Sequence, residues 1–222
     1  MTEEEWLATP DYGEMLRYLG KKASGRKLRL FAVACVRRIG GLLTDERCRR
    51  AADSAERYAD RQVERRELRA DQGEAGAAAR AIYAATGDAN AALAAVAAGT
   101  HTAFSAAYGA ASYAGSALRE KRPQERAAQA DLLRCVFGNP FRPFRPATVS
   151  SAWQTPQVVA LAQAAYEQRD LPAGTLDLAR LAVLADALEE AGCDQADLLG
   201  HLRGPGPHVR GCWAVDLLLG KQ

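Results

Sequence analysis

Cysteine and histidine residues cluster near the end of the sequence, and together they could bind a metal ion. Thiolate and imidazole are the ligands that zinc prefers, and four of them can close a tetrahedral site. The spacing Cys-x7-His-x6-His-x3-Cys matches none of the common finger or ribbon patterns. We therefore favour a buried Cys212 beside Trp213 with histidines that cap or pack, expect no cofactor, and keep zinc as the alternative. The four candidate ligands are Cys193, His201, His208 and Cys212.

A second group of candidate residues is basic. Residues 17–50 hold eleven Lys and Arg against two acidic residues, although the net charge of the chain is only +2. Over 25–43, a helical wheel places apolar residues on one face and basic residues on the other. Such a face could bind the phosphates of DNA or RNA, but interleaved exposed aromatics and named binding motifs are missing. We favour pairing with the neighbouring acidic helix. The candidate nucleic-acid-binding residues are Arg26, Lys27, Arg29, Arg37 and Arg38.

Motifs typical of enzymes are missing from the sequence. It contains no G-x-S-x-G, no H-E-x-x-H and no paired Glu-x-x-His. Gly20 and Gly25 have the spacing of a phosphate-binding loop, but the Lys-Ser/Thr pair and the preceding strand are absent. Pro140, Pro143 and Arg145 match an SH3-type ligand pattern, which we interpret as a surface connector. We expect no catalytic residues and disfavour an enzyme.

The elements that must position these residues are predicted to be helices. Capping signals at Thr2, Asp11, Ser24 and Thr155 each begin one, and no alternating strand pattern is found. The sequence therefore predicts an all-α array or bundle of about 9–11 helices with no significant sheet. They include a long helix over 45–72, one opened by Thr175, and a last one over 208–219 that would place His208 and Cys212 on one face.

Alanine dominates residues 74–118. Because alanine has a high helix propensity and little bulk, helices can form readily here and approach closely. Breaks are expected near Gly87 and Gly99. The expected packing anchors are the sparse large apolar residues Ile82, Tyr83, Leu93, Val96, Phe104, Tyr108, Tyr113 and Leu118.

A proline run divides the predicted helices into two regions. Pro140, Pro143 and Pro146 recur with the period of three that is typical of polyproline II. We predict an N-terminal helical region over 1–138, a proline-rich connector over 139–147, and a C-terminal helical region over 148–222 packed on the first.

Composition indicates a globular protein that does not associate with membranes. Hydrophobic residues make up 48% and charged residues 25% of the chain. No run of eighteen apolar residues lacks charge, and the first residues are acidic where a signal peptide would be basic. Five scattered cysteines argue against a disulfide framework, so we predict reduced, mostly buried thiols and a cytoplasmic location.

Four segments resemble a multi-copy family of helical proteins from planctomycete bacteria. The resemblance covers most of the chain except the alanine-rich middle, and it carries over no activity and no site residues. The chain departs from it at Ala34-Cys35-Val36, where the family tends to be cysteine-rich, and in the doubled Phe-Arg-Pro over 141–146. The segments are KLRLFAVACVRR (27–38), LLRCVFGNPFRP (132–143), LADALEEAGC (184–193) and HVRGCWAVDLLLGK (208–221).

These observations together predict a non-enzymatic helical module that acts as a protein-interaction or adaptor domain, with another protein as its partner. The alternative is a nucleic-acid-associated accessory protein that binds phosphates through the basic helix over 25–43.

Overall fold

The described residues fold mainly into helices, which confirms the predicted all-α fold class. The computed structural model describes residues 1–143 and 150–221. Two compact units divide the chain, Met1–Ala130 and Asp131–Gln222. The boundary therefore falls inside a helix, upstream of the predicted connector over 139–147. Residues 144–147 of that connector, with Arg145 of the SH3-type pattern, lie outside the described residues.

The N-terminal unit is built from seven helices and the first part of an eighth. Thr2 forms a complete capping box with Glu5, while the side chains of Asp11 and Ser24 accept hydrogen bonds from the first turns that follow them. These three predicted helix starts are confirmed. The helices are α1 (Glu3–Ala8), α2 (Tyr12–Leu19), α3 (Gly25–Arg38), α4 (Glu46–Ala59), α5 (Arg65–Thr86), α6 (Asn90–Ala98), α7 (Ala103–Ala117) and α8 (Arg122–Phe137).

The basic helix α3 is buried on nearly all sides. Leu30 and Val33, which do not fit the apolar face of the wheel, are 2% and 1% exposed, and the basic Arg29 is 4% exposed. The expectation that the basic residues of this helix all lie on an outer face is therefore wrong for Arg29. The reason is that α3 packs against α4, α6 and α7 rather than against a single neighbour.

The long helix predicted over 45–72 is interrupted. Helix α4 ends at Ala59, and α5 begins at Arg65. Between them Arg61 has a φ of 59°, a left-handed conformation that a continuous α-helix does not accommodate. Helix α5 then continues to a left-handed C-cap at Gly87, which confirms the break predicted there.

The alanine-rich helices pack through their alanines. All buried residues of α6 are alanines, and so are all but one of those of α7. A Cβ atom at Gly109 would lie 3.1 Å from the Cβ of Ala97, so the two backbones approach closely, as expected. The predicted large anchors are wrong in part, since Tyr83 and Tyr108 are 63% and 48% exposed. Helices this close leave no room for larger side chains between them.

In its described residues, the C-terminal unit combines the end of α8 with four further α-helices and one small antiparallel sheet. Thr155 caps a helix with proline in its first turn, as predicted. The helix predicted from Thr175 begins instead after Asp177, because Thr175 pairs with Asp170 in the sheet. The elements after α8 are α9 (Pro156–Glu167), β1 (Arg169–Asp170), β2 (Thr175–Leu176), α10 (Leu178–Glu190), α11 (Ala196–Arg203) and α12 (Trp213–Leu218).

None of the helices in the described parts of the chain combines the length and the apolar character needed to cross a bilayer.

Candidate metal centre

Four side chains of the C-terminal unit bring their potential metal-ligand atoms together. Cys135 lies in the last turn of α8, His201 in α11, and Cys212 at the N-cap position of α12. His208 lies in the segment between α11 and α12. The two sulfur atoms and one ring nitrogen from each histidine all lie within 4.8 Å of one another. The chain thus gathers two thiols and two imidazoles at one point.

Backbone pairing fixes the segment that carries the last two of these residues. The N–H of Leu176 donates to the carbonyl oxygen of His208 at 2.9 Å, and Thr175 forms an antiparallel bridge with Val209. The N–H of Cys212 then donates to the carbonyl of Val209 at 2.9 Å. The helix predicted over 208–219 is therefore wrong at its start, because this backbone pairs with β2 and turns before α12 begins at residue 213.

His201 and Cys212 contact each other directly. The Nε2 atom of His201 lies 3.2 Å from the Sγ atom of Cys212. The His201 ring meets the His208 ring edge-on, with 4.8 Å between the ring centroids, and the Trp213 ring lies 5.1 Å away on a tilted plane. His208 and Cys212 are buried and His201 is half-buried. Aromatic rings and buried residues therefore surround the potential ligand atoms.

The two ring nitrogens of His208 have different surroundings. Its Nε2 atom lies 3.2 Å from the carbonyl oxygen of Gly204. Its Nδ1 atom is buried and has no hydrogen-bond partner. An orphaned buried nitrogen is unfavourable in a native protein unless something else satisfies it. A metal ion at this position would do so.

Neighbouring side chains change the pKa values of this group. Burial on its own raises the pKa of the Cys212 thiol, but the neighbouring Cys135, His201 and His208 side chains outweigh burial and hold this pKa well below its usual range. Burial lowers the pKa of His208, and the Cys212 thiol and the Gly204 carbonyl oxygen raise it above its ordinary value overall. A thiolate at Cys212 is the form that binds metal ions.

The donor set fits a soft or borderline divalent ion. Zinc is bound by cysteine sulfur and histidine nitrogen, and four such ligands complete its tetrahedral shell. Hard ions such as Mg²⁺ and Ca²⁺ prefer oxygen ligands. The side chains present at this site therefore fit zinc by their chemistry, by their proximity and by the orphaned nitrogen of His208.

The structure brings together three of the four ligands predicted from the sequence. Cys193 is not part of the cluster: it is buried at the end of α10, where its N–H donates to the carbonyl of Leu188 at 2.9 Å. Burial raises the pKa of its thiol. The fourth position is taken by Cys135, which sequence spacing missed because it lies in α8, before the proline run. Its position among the apolar residues of α8 gave no sign of a ligand.

The basic residues of α3 have partners within the molecule. Arg26 pairs with Asp60 at 2.9 Å. Arg38 makes three hydrogen bonds of 2.9–3.0 Å with both carboxylate oxygens of Glu125. Lys27 also interacts within the structure.

Arg37 and Arg29 complete the set. Arg37 reaches the carboxylates of Asp53 at 2.9 Å and Glu56 at 3.0 Å, both on α4. The buried guanidinium of Arg29 donates to the carbonyl oxygens of Ala98 and Thr100 at 2.6 and 3.0 Å. The five candidate residues thus interact with other groups of the same molecule. This arrangement does not support a phosphate-binding face.

Comparisons with known proteins give no relative: no family model, no curated protein and no solved structure matches the chain.

Proposed function

We propose that this protein is a non-enzymatic, zinc-stabilised helical module that binds another protein. The observation that carries the proposal is the cluster of Cys135, His201, His208 and Cys212, whose ligand atoms lie within 4.8 Å of one another. Two thiolates and two imidazoles match the ligand set of common structural zinc sites.

A structural role for the ion follows from the number of ligands. Catalytic zinc sites keep one position open for water or substrate, whereas structural sites are closed by four protein ligands. All four donors here come from the chain, and three of the four residues are buried. The ion would therefore organise the fold and would not act on a substrate.

The position of the ligands in the chain indicates what the ion would stabilise. Cys135 stands near the start of the C-terminal unit, and His201, His208 and Cys212 stand near its end. A bond between distant parts of a chain removes conformational freedom from the unfolded state. Zinc binding would thus couple to the folding of this unit.

Elemental analysis of the purified protein tests the zinc site. We expect about one zinc per chain in the wild type and a strongly reduced content in Cys135→Ser and Cys212→Ser. Cys193→Ser is the matched control, since it removes a buried cysteine outside the cluster and should leave the zinc content unchanged. Absence of zinc after reconstitution, or equal loss in all three variants, would contradict the proposal.

A protein partner is supported by large apolar side chains on the surface of each unit. Tyr83 of the N-terminal unit and Leu171 of the C-terminal unit are 63% and 66% exposed. Tyrosine is enriched among the few residues that contribute most of the binding energy at protein interfaces. The five free cysteines favour a reducing compartment, and we place the module in the cytoplasm.

Affinity capture from the native host tests the interaction. The wild type should retain the same protein in repeated captures, and zinc-free Cys212→Ser should retain less of it. Retention of nucleic acid alone, abolished by nuclease, would favour the alternative function, which the internal ion pairs of Arg26, Arg37 and Arg38 do not support.

A further inference from the structure

The turn that follows α11 contacts one of the proposed ligands through its backbone. The carbonyl oxygen of Gly204 lies 3.2 Å from Nε2 of His208. A carbonyl can only accept a hydrogen bond, so Nε2 must carry the proton. A neutral imidazole has one N–H group, and its other nitrogen, Nδ1, therefore presents a lone pair. That atom is the orphaned buried nitrogen of the cluster.

The carbonyl of Gly204 is itself held in place by α11. The N–H of Gly204 donates to the carbonyl oxygen of His201 at 3.2 Å. A Cβ atom at Gly204 would lie 3.2 Å from the carbonyl oxygens of Gly200 and His201, tighter than ordinary contact. The helix that carries one histidine therefore also places the group that orients the other.

Gly206 lets the chain pass close to the ring of His208. It has a φ of +84°, and a Cβ atom there would lie 2.8 Å from the backbone nitrogen and 3.1 Å from Cδ2 of His208. Only glycine adopts this conformation at this distance without strain or displacement. Any side chain at residue 206 would push against the imidazole.

We propose that Gly204 and Gly206 are positioning residues of the metal centre, which orient His208 to bind through Nδ1 while His201 binds through Nε2. This inference rests on the proposed zinc site. A metal-bound histidine commonly donates its other N–H to a backbone carbonyl, which fixes the tautomer and the ring orientation. The Gly204 carbonyl supplies that acceptor, and Nε2 of His201 already faces Sγ of Cys212 at 3.2 Å.

Nitrogen NMR of ¹⁵N-histidine-labelled protein tests the assignment of the ligand atoms. In the zinc-loaded wild type we expect His208 to keep its proton on Nε2 and bind through Nδ1, with the reverse arrangement at His201. In the metal-free protein, at a pH above the pKa of His208, the neutral ring should already be the Nε2–H tautomer. Binding of His208 through Nε2 would overturn the inference and leave the zinc site standing, whereas failure to bind zinc would remove the proposed function itself.

Gly206→Ala and Gly192→Ala form a matched pair that tests the positioning role. Gly192 has a φ of +83°, close to that of Gly206, but a Cβ atom there would meet nothing within 4 Å. Both variants place a side chain at a similar positive φ, and only Gly206→Ala should weaken zinc binding, by about 10-fold or more. Equal zinc affinities of the two variants would overturn the inference. If Gly206→Ala does not fold, the NMR measurement on the wild type decides.

Discussion

The guanidinium group of Arg29 donates a hydrogen bond of 2.6 Å to the carbonyl oxygen of Ala98, the last residue of α6. The same group reaches the carbonyl of Thr100 at 3.0 Å. The last carbonyls of a helix have no partner inside the helix. The buried Arg29 cation supplies a donor from outside to that of Ala98, and to that of Thr100 just beyond the helix. It also lies over the ring of Tyr58, at 5.2 Å from the centroid.

Replacement of Arg29 by alanine should destabilise the protein. The change leaves buried carbonyls without donors and removes buried side-chain volume, so we expect a loss of about 2–4 kcal/mol in the free energy of unfolding. Chemical denaturation measures it. Arg66→Ala is the control on an exposed position of α5 and should change stability by less than about 0.5 kcal/mol. A loss at Arg29 as small as that at Arg66 would show that the carbonyls find other donors.

The Arg38–Glu125 pair should show strong coupling. The Glu125 side chain is 2% exposed and also accepts a hydrogen bond from Nε2 of Gln129 at 3.1 Å. Glu125→Gln leaves Arg38 without its charged partner, so we expect a loss of about 2 kcal/mol or more, and a smaller one when Arg38 is already methionine. A double-mutant cycle measures the coupling, and additive losses would refute it.

The thiol of Cys212 should ionise at a lower pH than an ordinary cysteine in the metal-free protein, because its surroundings hold its pKa well below the usual range. Since the folded pKa lies below the unfolded one, the ionised thiol adds stability above the unfolded pKa, and this contribution disappears as pH falls through the folded pKa. Ultraviolet thiolate absorbance measures the ionised form. The thiolate absorbance should fall in Cys212→Ser. It should persist in Cys193→Ser, because burial raises the pKa of the Cys193 thiol that this change removes.

Oxidation should release the proposed ion. The Sγ atoms of Cys135 and Cys212 lie within 4.8 Å of each other, close enough for a disulfide after a small movement. Hydrogen peroxide would oxidise the two thiolates to a disulfide by accepting two electrons from them. With two protons from solvent, the peroxide is reduced to two molecules of water. We expect zinc release together with the loss of two titratable thiols in the wild type. In Cys135→Ser no disulfide between residues 135 and 212 can form. If peroxide still removed two titratable thiols from this variant, the Cys135–Cys212 disulfide would be refuted.

Local signals in the sequence were sufficient to place several helix starts. The caps at Thr2, Asp11 and Ser24 depend on neighbours within one turn, and each was found where the pattern indicated. The surroundings of α3 could not be predicted in the same way, because a helical wheel does not show how many neighbours a helix has. Arg29 was predicted to lie on the basic outer face for that reason.

The candidate metal centre was predictable only in part. His201, His208 and Cys212 are close in sequence, which made them visible as a group. Cys135 comes from another helix, and no periodicity or spacing connects it to the other three. The backbone of His208 was predicted to be helical. Instead its carbonyl oxygen accepts a hydrogen bond from Leu176 of β2, a contact between distant segments that the sequence does not show.

The alanine-rich contact between α6 and α7 has a consequence for how this region tolerates substitution. Alanine side chains have no rotamers to lose on folding, so this interior is ordered at little cost in side-chain entropy. A Cβ atom at Gly109 would lie only 3.1 Å from the Cβ of Ala97, so the contact has no room for added volume. Conservative enlargements such as alanine to valine, which many cores absorb by repacking, would here have to move entire backbones.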